Sequence, residues 1–116
     1  MAKMTLVLGR YDFSRIGDGV FSAPVTLPVG RKIVKITYSH IGTLSPYSNL
    51  RIVRVKTGAM PEILGNNSST DPTGKPNPVD VPIKGDPVVR EAYRYFILVS
   101  VNSSSFFEKV KIVYRE

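Results

Sequence analysis

The chain has no cysteine, no tryptophan and a single histidine, His40. Without cysteine there is no disulfide framework, and a zinc site built from His and Cys is excluded. A histidine-dependent catalytic triad would have to rest on His40 alone. The missing tryptophan removes the largest ring that sugar-binding platforms use. No apolar run approaches the ~18 residues that a bilayer-spanning helix needs. One sign of charge is also missing over a long stretch. No acidic residue lies between Asp18 and Glu62, while Arg31, Lys32, Lys35, Arg51, Arg54 and Lys56 all fall there.

At 116 residues, the chain is the size of one domain able to bury its own core. Its formal charge of +7 favours acidic or polyanionic partners through long-range attraction. The same charges also suit the solvated faces and edges of a sheet, where lysine discourages edge-to-edge pairing. The apolar stretch near the N-terminus is too short for a signal peptide. On that ground alone the expected location is the cytoplasm.

The pattern is one of strands. Tyr93–Tyr114 reads as two long strands broken at Asn102–Ser105. The first is apolar at nearly every position and so is expected to be covered on both faces. The second places Val110, Ile112 and Tyr114 on one side and Lys109, Lys111 and Arg115 on the other, as a half-buried strand does. The two are expected to pair. Arg31–His40 alternates, with Val34, Ile36 and Tyr38 inward and Lys35, Thr37 and Ser39 outward. Thr5–Gly9 and Val20–Val29 are further strands, with Pro24 and Pro28 pointing to an edge or bulge. Asn49–Thr57 changes parity between Ile52 and Val53, which suggests a bulge or cover on both faces. Val79–Lys84 is another strand, and Pro82 again places it at an edge.

Three segments read as connections. Arg10–Gly19 is a loop. Gly65–Pro78 is rich in turn-forming residues with no apolar anchor. Gly85–Ala92 crosses over, with one helical turn at Val88–Ala92. The sum is an all-β, single-domain antiparallel β-sandwich over residues 1–116, jelly-roll-like, with seven to eight strands and no internal repeat.

The catalytic inventory is thin, and the reading is non-enzymatic with no cofactor and no metal. His40 is expected as a polar residue at a strand end. Asp12 and Asp18 lie beside Arg10 and Arg15, so a turn-capping or salt-bridged role fits them better than a calcium site. Nucleic-acid modules that stack bases place aromatics among their basic residues. Here the parity puts Tyr38 and Tyr114 with the aliphatics and the lysines opposite. Backbone-only electrostatic contact with nucleic acid stays open as an alternative. So does a carbohydrate-binding module near Tyr11, Asp12, Asp18 or Tyr47.

In architecture, carried by the Val20–Val29, Arg31–Tyr38 and Tyr93–Tyr114 strands, the chain resembles small jelly-roll accessory proteins of virus and phage particles, of the decoration or cement type. That resemblance implies a structural protein located in the virion that binds other protein subunits, such as a capsid or shell protein, and forms a homo-oligomer. Its expected contact residues are Lys35, Arg51, Arg54 and Lys56 on the basic strands, with Asn66, Asn67, Asp71 and Lys75 in the long polar segment. No membrane partner is expected.

Overall fold

The computed structural model describes residues 3–116. They form nine strands and one 3-10 turn: β1 (Lys3–Gly9), the turn Arg10–Asp12, β2 (Ser14–Gly17), β3 (Val20–Val25), β4 (Lys32–Gly42), β5 (Ser48–Val55), β6 (Glu62–Ser69), β7 (Asn77–Val81), β8 (Arg94–Val101) and β9 (Ser105–Arg115). Two antiparallel sheets face each other, one ordered β1-β9-β4-β7 and the other β2-β3-β8-β5-β6. The pairs nest along the chain, β1 with β9, β3 with β8, β4 with β7 and β5 with β6, and successive pairs alternate between the sheets. This is jelly-roll connectivity, with β2 added as a short hairpin arm.

The core is filled from both inner faces. Ile36, Tyr38, Val110 and Ile112 come from one sheet, and Leu50, Ile52, Ile97 and Val99 from the other. Each such aliphatic contributes roughly 1.5–3 kcal/mol of burial. At one end Phe107 takes the edge-to-face contacts of Phe13 and Phe21, with ring centroids 4.9 and 5.6 Å away.

The period-2 readings hold where a strand is regular and slip where an extra residue enters. In β9, Val110 and Ile112 are buried while Lys109 and Lys111 are exposed, as expected. In β4 the register shifts between Ile33 and Lys35. Ile33 therefore faces the core, and Val34, expected inside, lies on the outer side. The suspected irregularity of Asn49–Thr57 is real. Its extra residue sits on the partner strand, where Leu64 is inserted between Ile63 opposite Val53 and Gly65 opposite Ile52.

Several expectations are corrected. The two closing strands do not pair with each other. β8 lies between β3 and β5, and β9 between β1 and β4, in opposite sheets. The break at Asn102 is a crossing between layers: its Oδ1 accepts from the N–H groups of Tyr47 and Ser104, and its Nδ2 donates to Ser45 O. β8 buries Tyr95, Ile97 and Val99, but Phe96 and Leu98 on its other face are only half covered.

Gly65–Pro78 is not one loop. Residues 65–69 complete β6, residues 77–78 open β7, and only 70–76 connect them. β6 is polar because a pairing strand needs only its main chain, and Asn49 Nδ2 clamps it by donating to Asn66 Oδ1, Asn67 O and Ser68 Oγ. Arg10–Gly19 holds the 3-10 turn and β2, the strand that raises the count to nine. Val88–Ala92 has no helical turn. Val88 bridges to Lys32, and a tight turn closes from Arg90 O to Tyr93 N–H. Val29 is exposed and does not continue the inward parity of Val25 and Leu27.

The prolines sit where expected. Pro24 lies on β3 beyond Ser22, the last residue that β2 covers, and Pro82 follows the edge strand β7. The residue pair Asp12 and Asp18 has the local roles expected of it: Gly9 donates its N–H to Asp12 Oδ2 at 2.7 Å, and Arg15 pairs with Asp18 at 2.6 Å.

Candidate functional site

The outward side of the four-stranded sheet is lined by β9 and its neighbours. One row across the strands runs Val7, Lys111, Thr37, Asp80, and the next runs Thr5, Val113, Lys35. Asp80 accepts a hydrogen bond from Thr37 Oγ1 at 2.9 Å and lies 3.4 Å from Lys35 Nζ. The one carboxylate in those rows is thus tied at the β7 margin. Lys3, Lys109 and Lys111 are exposed and in no ion pair among the described residues. The face is therefore cationic around Lys111, with Glu108 the exposed carboxylate beside Lys109.

The tyrosines expected in the core stay off this side. Tyr38 and Tyr95 are buried and Tyr114 is partly so. Burial raises the Tyr38 phenol above its ordinary pKa, against the opposing hydrogen bond from Ser48. Phe106, opposite Ile41 at the far end of the β4–β9 ladder, is the large exposed ring that alternation did not single out.

The contact residues expected from sequence do not gather in one place. Lys35 faces out from the four-stranded sheet. Arg51 lies on the outer side of the other sheet, between Leu98 and Asn66, and its buried Nε has no hydrogen-bond partner. Lys56 is exposed, with its ammonium 5.4 Å from the centre of the Tyr93 ring. Asn66 and Asn67 are exposed on β6, and Asn67 Nδ2 donates to Asp80 O at 2.7 Å. Asp71 is half-buried and accepts from Asn77 Nδ2, while Lys75 is exposed between β6 and β7. Lys109 and Lys111 belong with Lys35, and their alternation in the sequence already put them on the solvent side.

Arg54 is corrected from a docking cation to an internal one. Its side chain is 10 % exposed at the end of the sandwich, where Nε and Nη2 donate to Glu62 Oε2 and Nη1 to Asp86 Oδ2. The guanidinium also lies 4.0 Å from the centre of the Tyr93 ring. Burial by itself would lower its pKa, but the hydrogen bonds to Glu62, Tyr95 and Asp86 carry it higher. Asp86 is pushed down to about 2, chiefly by the hydrogen bond from Arg90, then by the Val88 N–H, against some desolvation. The cluster binds β5, β6 and the crossover before β8 together, and it commits three of the Arg54 N–H groups to partners within the chain.

His40 is corrected as well. It is fully buried within β4 rather than at an exposed end. Its Nε2 faces Asp71 O at 3.1 Å, an acceptor only, so Nε2 carries the proton and Nδ1 accepts from Ser48 Oγ at 2.6 Å. Ser48 Oγ in turn accepts from Tyr38 OH at 3.0 Å. Both ring nitrogens are used internally, which leaves none to meet a substrate.

A groove of about 510 Å³ opens beside Arg10, whose guanidinium lies 5.5 and 5.2 Å from the centres of Phe21 and Phe107. Its polar walls are mostly committed elsewhere. Asn102 and Ser105 hold the Tyr47 backbone, and Arg15 holds Asp18. Among the described residues no three His, Asp or Glu side chains gather to hold a metal, and no helix is long and apolar enough to cross a membrane. Neither a family model nor a curated protein sequence matches the chain.

Proposed function

We propose that this protein is a non-enzymatic structural component of a virion or comparable shell, docking on acidic surfaces of neighbouring protein subunits. The observation that carries this reading is the cationic face on which Lys3, Lys109 and Lys111 are exposed and in no ion pair among the described residues, with Lys35 at its margin. Ammonium groups on a rigid sheet meet carboxylates without a large ordering cost, and their long-range field speeds encounter. The face offers one exposed ring, Phe106 at the far end of the β4–β9 ladder, and not a row of rings interleaved with its lysines, which supports a protein carboxylate surface over stacked bases. Jelly rolls are also a common building form of capsids, an argument from fold alone.

The test is chemical cross-linking of the chain in its native assembly, with mass spectrometry of lysine–carboxylate links. Links from Lys109 and Lys111 to an acidic shell protein are expected, and the double variant Lys109→Glu, Lys111→Glu should no longer be retained on the assembly; links absent from both lysines in the native assembly would overturn the reading. Titration with duplex and single-stranded DNA at two salt concentrations is the second arm. Tight binding there that collapses with salt would overturn the reading in favour of nucleic-acid contact.

A further inference from the structure

The two long sides of the sandwich are closed differently. On one side β6 and β7 are stitched together across the sheets. Asn67 donates to Asp80 O, Gly65 bridges to Ile83, and Lys84 and Gly85 donate to Leu64 O. On the other side the edges are β1 and β2. β2 is short, shifts register after Arg15 and carries the Arg15–Asp18 ion pair. β1 has none of these protections. Its seven residues run in unbroken register along β9, with no proline, no bulge and no charge between Lys3 and Gly9. A long regular edge of this kind is a template for another strand.

The direction of the free main-chain groups follows from two contacts. Gly9 donates its N–H to Asp12 and not to β9. Ile33, opposite Tyr114 on β9, donates away from β9 to Pro87 O, which turns the Tyr114 N–H toward Met4. Main-chain groups alternate along a strand, so Met4, Leu6 and Leu8 bond β9 while Lys3, Thr5 and Val7 present theirs to the open side.

From this geometry we infer that β1 pairs antiparallel with β1 of a second copy, about a two-fold axis at Leu6. Only that register sets all seven residues opposite one another, and the strand is self-complementary in it, with the Gly9 N–H kept by Asp12 at each end. Thr5 faces Val7 of the mate and exchanges both main-chain hydrogen bonds with it. Met4 faces Leu8 and Leu6 faces Leu6, which covers the half-exposed inner side chains Met4 and Leu6. Lys3 faces Gly9, so no like charges stand opposite each other. The contact is isologous and closes at two copies. It joins the two four-stranded sheets into one, running β7-β4-β9-β1 into its mate's β1-β9-β4-β7, with both cationic faces on the same side. The inference does not depend on the docking role, because it uses the edge and not the lysines.

Analytical ultracentrifugation across the micromolar range tests it, together with two variants. Thr5→Pro removes an outward donor without touching a bond to β9, so the fold should persist by circular dichroism while dimer dissociation rises about tenfold or more. Leu6→Cys puts the chain's only thiol at a non-hydrogen-bonded pair, where Cα atoms are ~4.5 Å apart, within disulfide range. Mild oxidation should link it into a covalent dimer, whereas Thr5→Cys, out of register with itself, should not link. If Thr5→Pro proves unfolded, Val7→Lys serves in its place, since Val7 is exposed and faces the open edge. A monomer at every concentration, or a dimer indifferent to these changes, would overturn the proposal. Added salt should leave the dimer intact or tighten it, while docking on an acidic surface should weaken, so the two proposals fail separately.

Discussion

Arg54 donates from both Nε and Nη2 to a single oxygen of Glu62, at 3.1 and 2.9 Å, and this pairing ties the β5–β6 hairpin shut at the end of the sandwich. The third contact, Nη1 to Asp86, joins the same guanidinium to the crossover leading into β8. Removing the arginine leaves two carboxylates facing each other and uncovers Tyr93. Arg54→Ala should therefore destabilise the protein by about 2–3 kcal/mol, less than a fully buried pair because Glu62 remains half solvated. Urea unfolding checks it, and a loss near zero would return Arg54 to the surface class.

Asp86 makes that corner acid-sensitive. Its folded pKa of about 2 lies below the usual carboxylate value, so between those two values the unfolded chain binds the extra proton. The stability it contributes is present above about pH 4 and is lost as pH falls toward about 2. Melting the wild type and Asp86→Asn in parallel should show a gap that narrows over that window. A gap that stays constant would mean Asp86 has no paired charge in the folded state.

Ser48 is the shared link between Tyr38 and His40. Tyr38→Phe removes one neutral hydrogen bond and should cost about 1 kcal/mol. Ser48→Ala likewise strips a single hydroxyl, yet leaves both a buried phenol and a buried imidazole nitrogen unpaired, so it should cost roughly 2–4 kcal/mol. Chemical denaturation of the two variants decides the order. If Tyr38→Phe is the more costly, the hydroxyl relay is not what holds this part of the core.

The lysines of the outer face should matter little for folding. Lys109→Ala and Lys111→Ala are expected to shift stability by less than about 0.5 kcal/mol each. Lys109→Glu with Lys111→Glu should abolish retention of the chain on its native assembly while its melting temperature barely moves. Equal loss of both would make these residues structural.

Much of the sandwich was legible because a sheet with one dry face writes itself in the sequence at period two. β9 displayed its core and solvent sides through Val110, Ile112, Lys109 and Lys111. Tyr38 was legible as core for the same reason. β6 was not, because Asn66, Asn67 and Ser68 look like turn residues and are held in a strand by the main chain of β5 and the side chain of Asn49. Val34 was misplaced by a single inserted residue, whose effect on parity no local pattern reveals.

By itself the sequence determined the class of fold and, in the regular strands, which side chains would be dry, since alternation acts locally. Which cations would stand together was decided only in three dimensions. Lys35, Arg51 and Arg54, neighbours in a run without acids, separate onto one outer face, the opposite face and a closed corner. The chain crosses between layers at every nested pair, so closeness along it says little about closeness on a surface.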